Sequence, residues 1–260
     1  VLAVLVLSAC ILYILKSKTD EPVPTRRTVT IPKIEIEEDV RGNIVIIIDD
    51  FGYRDDNVSE GFLLLDANLT FAVIPGHHNS KVFAAKAAQR GFEVIVHMPM
   101  ESKTKTPGEK EYMLTTSMTS SEIENRVEQV IAEFPEAVGM NNHQGSKATA
   151  DKRIMNIVSN ILKRHGKYFI DSRTTAETVA ETTMRSRGIP TMRRHVFLDN
   201  ENKKIKIREQ LYKLVDKAES KGLGVGIGHA KINTFEVLKE EIPKLKEYGF
   251  EFQFASFAVE

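Results

Sequence analysis

The strongest constraint on how this chain folds is a junction that recurs along it. Five segments end in glycine just before an apolar or strand-like stretch: Arg90-Gly91, His165-Gly166, Arg187-Gly188, Lys221-Gly222 and Tyr248-Gly249. Glycine supplies the left-handed residue that stops a helix, so each pair marks a helix-to-strand transition. Short β-branched or aromatic runs at 44–48, 69–74, 92–96, 137–140, 168–170, 196–198, 223–227 and 250–254 read as strands. Amphipathic helices lie between them. Ile154, Ile157, Val158, Ile161 and Leu162 share one helical face. So do Ile123, Val127, Val130, Ile131 and Phe134, behind a Thr119-x-x-Glu122 capping box. Seven or eight β-α units in one domain predict an α/β fold with a parallel sheet, either closed as a barrel or doubly wound.

Charge and cysteine content exclude several classes of function. Lys+Arg and Asp+Glu balance at 36 each, so no basic field favours a nucleic acid partner. The single cysteine, Cys10, allows neither an internal disulfide nor a cysteine-based zinc site, so any metal must be held by His, Asp or Glu. The chain opens on an apolar run reaching Leu15, followed by Lys16 and Lys18. As a helix that run is ~22 Å long, short of a ~30 Å bilayer interior, and it reads as a signal anchor or signal peptide over 1–16 with its start missing. Leu7-Ser8-Ala9-Cys10 also resembles a lipoprotein cleavage box, although apolar residues continue beyond Cys10. Residues 17–41, rich in Pro, Thr and charge, form a linker, and 42–260 form the folded domain. The expected location is extracytoplasmic, membrane-anchored or secreted, in a bacterial cell envelope.

The polar residues of interest gather at the carboxyl ends of strands. Asp49 and Asp50 end the first, His97 ends the third, Asn142 and His143 follow the fourth, Asp171 ends the fifth and His229 follows a Gly-rich strand. In a β/α barrel those ends share the face on which active sites are built. Ile48-Asp49-Asp50-Phe51-Gly52, His97-Met98-Pro99-Met100-Glu101, Asn141-Asn142-His143-Gln144-Gly145-Ser146, Asp171-Ser172-Arg173-Thr174 and Gly228-His229-Ala230 together resemble the divergent polysaccharide deacetylases. These are distant relatives of the metal-dependent deacetylases of carbohydrate esterase family four. The resemblance runs in order from Gly42 to the C-terminus and implies a distorted β/α barrel of seven to eight units. It also implies a divalent metal, usually zinc, and hydrolysis of N- or O-acetyl groups on a polysaccharide. The chain departs from the better-studied family in three ways. Glu101 stands where a second metal-binding His is usual, there is no Trp, and no Arg-x-Pro-Tyr segment occurs.

Two imidazoles and one carboxylate leave positions open on a divalent ion, which lowers the pKa of a bound water from ~15.7 towards ~7 and polarises an acetyl carbonyl. Asp50, His97 and His143 are the expected ligands, with Glu101 either a further ligand or outer support. Asp49 is the expected base, and His229 the acid that protonates the leaving group. Asp171 is expected to orient His229 or a ligand His, and Arg173 to hold Asp49 or the oxyanion. His77-His78 reads as a solvated loop, and His195, beside Arg193 and Arg194, as surface. Two other classes stay open: a non-catalytic carbohydrate-binding or envelope scaffold, and a glycosidase pairing Asp49 or Asp50 with Glu101.

Overall fold

A computed structural model of the chain describes residues 40–104 and 108–259; the expected anchor and nearly all of the expected linker lie outside them. The order of elements is β1 (Gly42–Phe51), α1 (Asn57–Phe62), β2 (Thr70–Val73), α2 (Ser80–Gln89), β3 (Glu93–Met100), α3 (Ser120–Glu133), β4 (Gly139–Gln144) and α4 (Lys152–Arg164). There follow β5 (Tyr168–Asp171), α5 (Ala180–Ser186), β6 (Thr191–Arg193), β7 (Val196–Phe197), α6 (Lys204–Lys221), β8 (Leu223–His229), α7 (Ile232–Glu247), β9 (Phe250–Gln253) and α8 (Ala255–Ala258). All five junction glycines have left-handed backbone, with φ between 61° and 84°. The Thr119–Glu122 capping box closes in both directions at the start of α3.

Every strand pairing is parallel, in the order β6-β5-β4-β3-β2-β1-β8-β7. β9 takes the first half of the β1 edge whose second half pairs with β2. The end strands β6 and β7 do not pair with each other among the described residues, so the sheet curls into a half-barrel. This is the distorted (β/α) barrel that the family resemblance implies, and not the doubly wound alternative. The three-residue edge strand β6 carries no run long enough to be read from sequence.

Side-chain alternation sorts each strand into two cores. On β1, Ile44, Ile46 and Ile48 pack outward against the helices, with Val127, Ile154, Leu211 and Leu238 in the same cluster. Val45 and Ile47 face inward with Ala72, Ile95, Ile170, Val225 and Ile227. Helix α8 seals the end of this inner core where β2 and β3 begin: Ala255 N donates to Thr70 Oγ1 and Ser256 N to Glu93 Oε1. On β8 the outward positions are glycines. A Cβ on Gly224 would lie 2.6 Å from the Leu214 carbonyl oxygen, so the bare strand is what lets α6 lie flat against it.

The strands continue past their apolar centres. β1 includes Asp49 and Asp50, β3 includes His97, β4 includes Asn141 to Gln144, and β8 ends at His229. The polar groups therefore stand on the rigid wall of the half-barrel, at the end opposite α8. Among the described residues the first element begins at Gly42, and a chain starting there is expected to give a single cooperative thermal transition by circular dichroism. Aggregation, or loss of that transition, on removing residues 1–41 would count against the linker reading.

Candidate metal centre

The inward register that runs Val45, Ile47 on β1 reaches Asp49 next, Ile95 on β3 leads to His97, and Val225, Ile227 on β8 lead to His229. On β4, Asn141 and His143 share the inward face. Alternation alone would turn Asp50 away from Asp49. Asp50 escapes this by adopting φ 69°, and the β1–β2 register breaks between Ile48 and Phe51. Aspartate tolerates the left-handed region better than most residues. Both carboxylates consequently reach His97 Nε2, Asp49 Oδ2 at 3.6 Å and Asp50 Oδ1 at 3.4 Å. His143 Nδ1 lies 3.0 Å from His97 Nε2 and 3.2 Å from Asp50 Oδ1.

These three donor atoms form a triangle whose edges suit a small ion. Tetrahedral zinc with bonds of ~2.1 Å needs ligand atoms roughly 3.4 Å apart. The buried Asp50 Oδ1 has no hydrogen-bond partner in spite of its two close nitrogens, because neither contact is aligned. His97 Nδ1 donates to Asn141 Oδ1 at 2.6 Å, which leaves the Nε2 lone pair pointing into the triangle. The Asn141 amide in turn donates to Asp49 Oδ1 at 2.8 Å. Among the described residues no other three His, Cys, Asp or Glu side chains have ligand spacing.

The electrostatics separate the two aspartates. Burial raises the Asp49 carboxyl above its ordinary pKa, against the pull of His97 and His229. Burial also opposes ionisation of Asp50, but His143 and His97 outweigh it and hold the carboxyl well below the usual range. Burial would lower His97, yet Asp49 and Asp50 push it up to about 9.

His229 is oriented by a residue the sequence reading missed. Its Nδ1 lies 2.7 Å from Asp199 Oδ1, and its backbone N–H donates to Asp199 Oδ2 at 2.9 Å. Thr234 Oγ1 donates to the same oxygen at 2.8 Å, and Asp199 is buried. Burial disfavours charge on His229, but this carboxylate raises its pKa. Asp171, expected in that role, is excluded by parity. It shares the outward face of Phe169, while Ile170 faces the barrel interior. Its carboxylate accepts from Arg173 N and Thr178 Oγ1, each at 2.9 Å, and shapes the turn after β5. The same parity rule finds Asp199, two residues beyond the inward Phe197.

Glu101 is likewise not a ligand. Thr116 N and Oγ1 donate to its Oε2 at 2.7 Å and Lys147 Nζ to its Oε1 at 2.7 Å, so it ties down the segment after β3. The acid nearer the site is Glu109, whose buried carboxylate takes the Tyr53 hydroxyl, lies 3.0 Å from His77 Nε2 and 3.8 Å from His143 Nε2. His77 is therefore engaged, its ring tilted by 46° against Tyr53 at 4.0 Å between centroids, and is not a solvated loop residue. Arg173 makes no ion pair with Asp49 among the described residues. Arg194 lines the site cleft, and His195, read as surface, instead accepts from Val225 N through Nδ1 at 3.1 Å.

That cleft is about 390 Å³, with Asp49, His97, His143, Arg173, Arg194 and His229 on its walls. A second hollow of about 300 Å³ lies against Asp50, Tyr53, Lys231 and the other flank of His229, so open space adjoins the centre on two sides. A larger hollow of about 570 Å³, around Asn68, Arg90 and Phe252, carries none of these groups.

A curled half-barrel of parallel β/α units with Asp and His side chains converging at its strand ends is the architecture of the polysaccharide deacetylases. The chain belongs to the divergent polysaccharide deacetylase family, whose model matches residues 46–259. It is 36% identical over 204 residues to YibQ, an uncharacterized protein of Escherichia coli (strain K12), covering 78% of this chain but only 63% of that one. Among solved structures it is similar to an uncharacterized Agrobacterium tumefaciens C58 protein, with TM-score 0.79, 18% identity and coverage of 84% of this chain and 89% of that one. The catalytic domain of a peptidoglycan N-acetylglucosamine deacetylase from Eubacterium rectale shares the fold at TM-score 0.51 and 16% identity, over 83% of this chain and 90% of that one.

Proposed function

We propose that the protein is a metal-dependent deacetylase that removes N- or O-acetyl groups from a cell-envelope polysaccharide, with zinc as the expected ion. The observation that carries this reading is the donor triangle of Asp50, His97 and His143, with the unpartnered Asp50 Oδ1 at one vertex. An ion held there supplies Lewis-acid polarisation of the acetyl carbonyl and acidifies the attacking water.

The rest of the chemistry falls to the side chains. Asp49, inside the pocket but outside the triangle, takes the proton of the water; its raised pKa makes it a better proton acceptor than an ordinary carboxylate. His229, fixed through Nδ1 by Asp199, presents Nε2 to the cleft and protonates the departing amine or alkoxide. Asn141 couples the halves by holding His97 and Asp49 together. The space on both flanks of His229 suits a substrate that continues in two directions, as a polymer does. An extracytoplasmic location is part of the same proposal.

A glycosidase would need Glu101 beside Asp49 or Asp50, and Glu101 is occupied by Thr116 and Lys147. A non-catalytic scaffold gives no reason for Asp50 Oδ1 to lack a partner. The deciding measurement is metal content of the purified chain together with acetate release from a panel of acetylated glycans. One divalent ion per chain and measurable acetate are expected. Failure to retain any ion, or no acetate from any glycan despite a bound ion, would overturn the reading.

A further inference from the structure

The cleft contains two cations to which the proton transfers proposed above assign no role. Arg173 and Arg194 both line it, and neither guanidinium has an ion-pair partner among the described residues. Arg194 is held in place. Its Nε donates to the Ser172 carbonyl at 2.8 Å, its Nη2 to the Arg173 carbonyl at 3.1 Å, and its guanidinium lies 4.8 Å over the Phe197 ring. An arginine carries five N–H donors, and these contacts occupy two of them, leaving three.

Arg173 is placed by a strained backbone. Its φ of 51° is a region that residues with a Cβ seldom occupy, and its N–H is pinned there by Asp171 Oδ1. Between the two arginines, Ser172 is only 6% exposed and its buried Oγ has no hydrogen-bond partner. Buried hydroxyls are seldom left in this state. Burial weakens the hold of Arg194 on its proton, the nearby Asp49 and Asp171 strengthen it, and the charge of Arg173 opposes them with a smaller effect. Like charges brought together beside an unsatisfied donor, on the wall of a substrate cleft, are arranged for an anion. The nearby Asp49 and Asp171 penalise a doubly charged group more than a singly charged one, and the planar guanidinium fork matches a carboxylate.

We propose that Arg173 and Arg194 bind a carboxylate carried by the glycan, so that the preferred substrate is an acidic acetylated polysaccharide. The inference rests on the deacetylase reading for the reacting group and on the two arginines for the anion. The test uses the full chain and a pair of acetylated oligosaccharides that differ only in whether their carboxylates have been reduced to alcohols. Affinity for each is measured by titration calorimetry, and acetate release is followed separately. The acidic form should bind at least roughly tenfold more tightly. That preference should collapse towards one in Arg194→Gln and in Arg173→Gln, with a thermal melt confirming that each variant is folded. Equal affinity for the two oligosaccharides, no binding of the acidic one, or an undiminished preference in both variants would overturn the proposal. A preference in binding with no acetate released would sink the deacetylase reading alone, whereas acetate released from both forms without preference would sink only the carboxylate site.

Discussion

Replacing His97 with Ala should strip the protein of its ion and reduce acetate release by roughly 10³-fold or more, since one change removes a ligand and with it the Lewis acid. His97 is buried and its Nε2 is one vertex of the triangle, 3.0 Å from His143 Nδ1 and 3.4 Å from Asp50 Oδ1. His143→Ala should do the same. Asn141→Ala should be milder, lowering metal affinity by roughly 10–100-fold, because it frees the His97 ring without deleting a ligand. Elemental analysis by mass spectrometry on the purified variants, alongside acetate assays, makes the comparison. A His97→Ala protein that still carries a stoichiometric ion would show that the triangle is not the metal centre.

The second large effect should appear with the metal still in place. Asp49→Asn keeps the side-chain shape and an oxygen that can still accept from the Asn141 amide, while removing the proton acceptor. His229→Ala removes the proton donor and leaves Asp50, His97 and His143 untouched. Each should lower acetate release by roughly 10²–10⁴-fold, the contribution of a positioned acid or base. The loss should fall in kcat with little change in metal content. Full activity in either variant, or an ion lost from Asp49→Asn, would break the assignment of roles.

Much of this was legible in the sequence, because helix-stopping glycines and β-branched runs are local signals. All eight expected strands form, and the residues at their ends, Asp49, Asp50, His97, His143 and His229, meet at one centre flanked by two hollows. The failures have a common origin. A place at a strand end does not by itself give a face, and Asp171 shares the outward parity of Phe169. Asp199 stands at the inward position two beyond Phe197, legible only once parity is followed past the end of the apolar run. Arg194 gave no signal as a cleft residue, because nothing in the sequence announces that the carbonyls of Ser172 and Arg173 and the ring of Phe197 will hold it there. Glu101 and Glu109 could not be ranked, since which of two acids in an irregular segment turns inward depends on contacts with Tyr53, His77, Thr116 and Lys147 from four other places in the chain.

The central position of β1 bears on how the protein is made. This most apolar of strands is the first of the domain to leave the ribosome, yet one of its edges is taken only by β8 and part of the other only by β9. Until the segment from Leu223 onward has been synthesised, a row of bare amides and carbonyls along Ile44 to Ile48 waits for its partner. Such an edge is a template for any passing chain. Contacts this distant in sequence also make for slow folding. The final segment thus guards the nascent chain against self-association, and a premature stop ahead of Leu223 should yield inclusion bodies even though Asp50, His97 and His143 would all be present.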